Sequence, residues 1–168
     1  MTQSIVLTII GPDRTGIVDS ISTLATTHGA SWQESHLARL AGQFAGIVHL
    51  ICPNSSADAL RNALSHLQRE GLEIFLVRAN STNEPQSETY TLDVLGHDRP
   101  GILSEVTQIV KNHRANIQEI ETNLESAPEA GHLLFHAVLK ITTCKDNPIN
   151  NLTQGLEALS PELQVSLS

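Results

Sequence analysis

The residue types able to engage a small charged molecule are concentrated in one stretch that occurs twice. Residues 11–18 read GPDRTGIV and residues 96–103 read GHDRPGIL. Each copy sets a carboxylate beside a guanidinium, Asp13–Arg14 and Asp98–Arg99, shortly before a glycine, Gly16 or Gly101, and an isoleucine, Ile17 or Ile102. A carboxylate accepts from an ammonium, and unpaired N–H groups at a helix start attract an anion. A glycine at that start removes the side chain that would block approach. The same residues also have a purely structural reading, in which the glycine makes a tight turn and the Asp–Arg pair caps it. Recurrence does not separate the two, because a duplicated fold also retains a structural turn.

Other chemistries find less support. Neither stretch has a lysine, cysteine or serine placed for catalysis, and Ser35-His36 and Ser65-His66 lack the GxSxG elbow of a nucleophilic hydrolase. His132 and His136 fall four apart in a predicted strand, on one face but ~13 Å apart, too far to share an ion. His28 and His113 recur at the end of a predicted helix, where a capping donor or a cation is favourable. Cys52 and Cys144 are too few for a disulfide framework or a CxxC knuckle and are expected as free thiols. No metal and no cofactor is expected. The net charge is −8 with no basic run, which argues against direct nucleic-acid binding. Any effect on gene expression would pass through another protein. No apolar run approaches the ~20 residues of a membrane span, and MTQSIVLTII lacks the basic flank of a signal peptide. A cytoplasmic protein with no membrane contact is expected.

The two stretches lie 85 residues apart in a chain of 168. Sliding residues 4–38 against 89–123 without a gap gives ten identities, among them Leu7/Leu92, His28/His113, Ala30/Ala115, Gln33/Gln118 and Glu34/Glu119. Two copies are too few for a solenoid, so two similar domains are expected, at 1–79 and 89–168, with the polar segment 80–88 as linker. Each half is near the lower size limit for an independent core, so mutual support as a pseudo-dimer, and a homo-oligomer beyond it, are expected.

Alternation around Ile5, Leu7 and Ile9, and around Tyr90, Leu92 and Val94, predicts strands ahead of each turn. Ile17, Val18, Ile21, Leu24 and Ala25, and Ile102, Leu103, Val106, Ile109 and Val110, predict amphipathic helices after it. Pro100 fits a first helical turn. Two hairpins follow, SWQESHLARL with FAGIVHLIC and NIQEIETNL with HLLFHAVLKI. Leu60, Leu64 and Leu67 predict a second helix closed by Gly71, and Ile149, Leu152, Leu156 and Leu159 its counterpart, capped by Asn147 before Pro148. LEIFLV and LQVSL close the halves as strands. The fold class is therefore α+β: two ferredoxin-like βαββαβ domains in tandem, each an antiparallel four-stranded sheet with two helices on one face.

A strand, a GxDRxGI turn and a helix inside a βαββαβ unit of this length resemble the ACT domain, once in each half. Two tandem copies, with SHLARLAGQFAGIVHL after the first helix, are similar to the glycine cleavage system transcriptional repressor group. The resemblance implies a non-catalytic regulatory protein that binds a small amino acid, glycine or serine first, at an interface between ACT units. It also implies a protein partner, a transcription regulator. The family's site is lined by the turn and the start of the next strand, which here means Asp13, Arg14, Gly16, Ile17 and Ser31, and Asp98, Arg99, Gly101, Ile102 and Asn116. Thr15 stands where the second copy has Pro100, and Ser31-Trp32 where it has Asn116-Ile117, so unequal sites are expected, the second being the stronger. Two other classes remain open. One is a small ferredoxin-like enzyme such as an acyl phosphatase, which needs an arginine and an amide converging on an open pocket. The other is a ligand-free interaction scaffold.

Overall fold

Ile5, Leu7 and Ile9 are fully buried along β1 (Thr2–Pro12), while the alternate residues Val6, Thr8 and Ile10 face away from the core. That period of two is what a half-buried strand imposes. It recurs in a computed structural model that describes residues 1–79, 87–126, 133–144 and 149–168. After β1 come α1 (Ile17–Thr27), β2 (Ser31–Leu40), β3 (Gln43–Pro53), α2 (Ala57–His66), a 3-10 turn at Leu67–Glu70 and β4 (Glu73–Arg78). The second unit runs β5 (Ser87–His97), α3 (Ile102–Asn112), β6 (Asn116–Ser126), β7 (Leu133–Cys144), α4 (Asn150–Glu157) and β8 (Gln164–Leu167). The chain divides into two units, 1–82 and 83–168.

Strand order is β2-β3-β1-β4 in the first sheet and β6-β7-β5-β8 in the second, antiparallel throughout. This is the expected ferredoxin-like arrangement, with the glycine turn leaving a central strand in each unit. One face of each sheet is covered by its helices. Ile17, Ile21 and Ala25 of α1 and Leu60 and Leu64 of α2 pack on Ile5, Leu7, Ile9 and Leu50. Val106 and Val110 of α3 and Leu152 and Leu156 of α4 pack on Leu92, Val94, Leu139 and Ile141. Each such aliphatic side chain contributes about 1.5–3 kcal/mol by leaving water. Val18 and Leu103, counted in the predicted helical stripes, stay 43% and 37% exposed. One residue is a 100° step, which carries them off the face set by Ile17, Ile21 and Ala25 and by Ile102, Val106 and Val110.

Three details refine the sequence reading. Pro100 stands in the turn and not in the helix, because Gly101 takes a left-handed conformation (φ 90°) and α3 begins only at Ile102. Each unit carries a β-bulge just inside its edge strand: the register steps from Trp32 to Glu34 and from Ile117 to Glu119, leaving Gln33 and Gln118 as the extra residues. Ser87 and Glu88 belong to β5, opposite Cys144 and Thr143. The rest of the expected linker, the cap at Asn147–Pro148 and His132 lie outside the described residues. Among the described residues no helix is long and apolar enough to cross a membrane.

Candidate functional site

Each turn carries two glycines, and they are there for different reasons. A Cβ on Gly11 would stand 2.8 Å from the Gly71 carbonyl oxygen and 2.8 Å from Leu72 Cδ2. Gly96 is crowded by a side chain instead, Leu163 Cδ1 at 2.7 Å. These first glycines let β1 and β5 pass close beneath the chain that enters the last strand of each unit. A Cβ on Gly16 or Gly101 would meet nothing within 4 Å, but both residues are left-handed, with φ of 92° and 90°. The second glycines therefore serve conformation, which only glycine takes up cheaply, and they leave the helix start open.

That start is uncapped by side chains in both units. The first intrahelical bonds run from Ser20 N–H to the Gly16 carbonyl (2.9 Å) and from Glu105 N–H to the Gly101 carbonyl (3.0 Å). In α3 the Ile102 N–H also donates to the Arg99 carbonyl (3.3 Å), while those of Leu103 and Ser104 have no partner among the described residues. The aspartates do not cap. Their backbone N–H groups are fastened to the neighbouring hairpin, Asp13 to the Gly42 carbonyl (2.9 Å) and Asp98 to that of Leu133 (3.0 Å).

The side chains of the two turns are engaged differently. Asp13 Oδ2 is paired with Arg39 Nε at 2.9 Å, and Arg14 reaches Glu70 at 2.5 Å. In the second unit Arg99 folds back on Glu105 of its own helix, with two parallel bonds of 2.8 and 2.5 Å. This pairing holds the Glu105 carboxyl below the ordinary carboxylate range and raises the already high Arg99 value. The exposed Asp98 carboxylate forms no hydrogen bond or ion pair with any described residue. The cause lies in the sequence: the residue equivalent to Glu105 is Ser20, and the one equivalent to Arg39 is Leu124. Arg14 has a serine where Arg99 has Glu105 and pairs with Glu70 instead, while Asp98 has no arginine on the adjacent edge strand. Arg39, Glu70 and Glu105 are the charge partners that the turn motif alone does not reveal.

Ser31 and Asn116 open β2 and β6, both exposed. Ser31 accepts from Gln33 Nε2 at 2.9 Å. Trp32 and Ile117 occupy the same position in their units, each half-buried against its own core, so the indole serves as packing. Ile17 and Ile102 are buried, at 3% and 5% exposure, and frame the turns from beneath. His28 and His113 cap α1 and α3 from their C-termini, Nδ1 of each lying 2.8 and 2.9 Å from the carbonyl oxygens of Leu24 and Ile109. Ser65 donates to the Arg61 carbonyl of its own helix. Cys52 and Cys144 are free thiols, and burial pushes that of Cys52 up. No three histidine, cysteine or acidic side chains among the described residues are placed to hold a metal ion.

The family profile of the ACT domain matches residues 3–76 and again residues 88–168. The glycine cleavage system transcriptional repressor of Escherichia coli (strain K12) is 26% identical over 164 residues, covering 95% of this chain and 85% of the relative. The protein of that name from Shigella flexneri matches to the same extent. The crystal structure of an unknown protein from Galdieria sulphuraria superposes with a TM-score of 0.86 at 30% identity, covering 100% of this chain and 98% of that one.

Proposed function

The chain belongs to the ACT domain family in both of its units, and from that premise we propose that it is a non-catalytic regulatory protein that senses a small amino acid. Glycine and serine are the first candidates, in keeping with the relative named as the glycine cleavage system transcriptional repressor. The observation that carries the reading is the contrast between the turns. Asp98 keeps a carboxylate with no partner among the described residues beside the open, uncapped start of α3, while Asp13 and Arg14 are spent on Arg39 and Glu70.

A free amino acid presents a carboxylate and an ammonium a few ångströms apart. At the second turn the carboxylate meets the Leu103 and Ser104 N–H groups, where the helix dipole contributes about 0.3–1 kcal/mol and direct hydrogen bonds add more. The acid in that first helical turn, Glu105, is neutralised by Arg99, so it does not repel the anion; the first turn of α1 carries Asp19, one position earlier than the Glu105 site. The ammonium pairs with Asp98; Asn116 opens β6 at the other end of the sheet, beside Thr142 and Thr89, and takes no part at this turn of its own unit. Gly101 and Ile102 supply the open and the apolar wall. The signal passes to a protein partner, a transcription regulator of glycine cleavage, because a chain of net charge −8 has little with which to neutralise DNA phosphates.

Calorimetric titration of the full chain with each of the twenty amino acids tests this. Heat and a thermal shift with a small amino acid support the sensor. No response to any of them leaves an interaction scaffold. Salt-dependent binding of the chain alone to promoter DNA removes the partner-mediated route.

A further inference from the structure

The two sheets differ most on the faces turned away from the helices. On the first, Ile10, Ile47, Phe75 and Val77 are 42%, 47%, 60% and 57% exposed, and they lie together on the adjacent strands β3, β1 and β4. The register joins them: Thr8 faces Ile47 on one side and Phe75 on the other, and Val6 faces Val77. Glu34 and His36 on β2, His49 on β3 opposite Val6, and Glu73 on β4 border this apolar field. On the second sheet Asp93 stands where the first has Thr8, and opposite it Ser166 stands where the first has Phe75. Ser168, bonded both ways to Thr91, replaces Val77. His136, Lys140, Glu121 and Glu125 set charges around the Leu95, Val138 and Leu134 side chains of that face.

We infer that the outer face of the first sheet is an isologous interface to the same face of a second copy of this chain. A contiguous apolar field with a polar border has the anatomy of an interface centre and rim. Four strands at ~4.8 Å spacing and about seven residues at ~3.4 Å present roughly 20 by 20 Å in plan. Side-chain relief brings this toward the about 800 Å² that each partner buries in a stable complex. The occupant follows from polarity. The second unit's sheet would bring Asp93, Lys140 and Glu121 against Phe75 and Ile47, stripping charges of water with nothing to pair them. Another first-unit face offers apolar surface against apolar surface, as two sheets stack at about 10 Å. A twofold axis closes such a contact and leaves no second sticky face to propagate it. The inference is independent of the amino-acid site.

Sedimentation equilibrium of the full chain tests it. The parent chain is expected to be dimeric, with Phe75→Ser plus Val77→Ser raising the dimer dissociation constant roughly tenfold or more. Ile47→Thr, on a different strand, is expected to do likewise. Leu124→Ser, which alters a 56% exposed leucine in the second unit, is expected to leave the dimer intact. Circular dichroism confirms that each variant is folded. A parent chain that stays monomeric at every concentration overturns the inference, as does a folded double variant that dimerises like the parent. A monomeric parent whose double variant melts lower also overturns it, assigning the face to other parts of the same chain.

Discussion

His136 on β7 and Asp93 on β5 are joined across the outer face of the second sheet, with Nε2 standing 3.1 Å from Oδ2. The other ring nitrogen, Nδ1, lies 2.8 Å from Glu125 Oε1 on β6. Both nitrogens can donate only in the imidazolium form, so this proton fastens three strands together. The bond to Asp93, then that to Glu125, raises the His136 pKa above its ordinary value, with Glu121 and Lys140 the other charged neighbours on the face. A raised folded pKa means that the contribution is complete below the unfolded value of about 6.5 and is lost as pH climbs through the folded one. The imidazole is expected to titrate above its ordinary value by NMR, and Asp93→Asn to lower it. The melting temperature should fall across the same interval in the parent and stay flatter in His136→Gln. An imidazole titrating at or below the ordinary value would refute the clasp.

The first glycines of the two turns should respond unequally to one methyl group. Gly11→Ala drives a Cβ against a backbone oxygen, that of Gly71, whereas Gly96→Ala meets only the end of the Leu163 side chain. Overpacking against fixed backbone costs about 1–3 kcal/mol, and a leucine tip can rotate away for less. Denaturant midpoints of the two alanine variants should therefore rank Gly11→Ala well below Gly96→Ala. Equal losses would contradict the geometry.

Arg114 holds a left-handed conformation, φ 54°, at the place where the first unit has Gly29 at φ 70°. An L-residue there is strained by roughly 1–2 kcal/mol, partly offset by the greater unfolded freedom of glycine. Arg114→Gly is expected to stabilise the second unit by about 1 kcal/mol on the same balance, and Gly29→Ala to destabilise the first by a similar amount. Chemical denaturation of both variants decides it.

For the amino-acid site, Asp98→Asn should weaken binding by roughly tenfold or more, the scale of a lost charge-assisted bond. Asp13→Asn should change it little, since that carboxylate is already held by Arg39. Asn116→Ala, at the far end of β5 from that turn, should leave binding there unchanged. Calorimetry that finds Asp98→Asn and the parent alike would dismiss this assignment.

The fold was legible because its signals are local and doubled. Ile5, Leu7 and Ile9 alternate, Ile17, Ile21 and Ala25 recur at helical spacing, and His28 and His113 mark both helix ends. The engaged state of the turns was less legible. Arg14 and Arg99 are the same residue in the same motif, and their partners differ because position 20 is serine where position 105 is glutamate. Only the folded register shows Glu70 as the replacement, 56 residues away. The His136 clasp was hidden for the same reason, its carboxylates lying 43 and 11 residues off in sequence. The identical Gln33 and Gln118 did hold a signal: they mark the bulge in both units, though a single strand pattern gives no sign of an extra residue.

Glu70 and Glu105 give the two arginines different histories as well as different partners. Arg99 and Glu105 are six residues apart, so their bond can form as α3 winds, before any strand has found its neighbour. Arg14 and Glu70 enclose a loop of 56 residues, whose closure costs on the order of 2 kcal/mol more in chain entropy. That bond can form only once β3, α2 and the 3-10 turn have brought the chain back beneath β1. One turn is set early by its own helix, while the other's charge pair registers that the whole first unit has closed, an order that pulse-labelled hydrogen exchange would display as earlier protection of α3 than of α1.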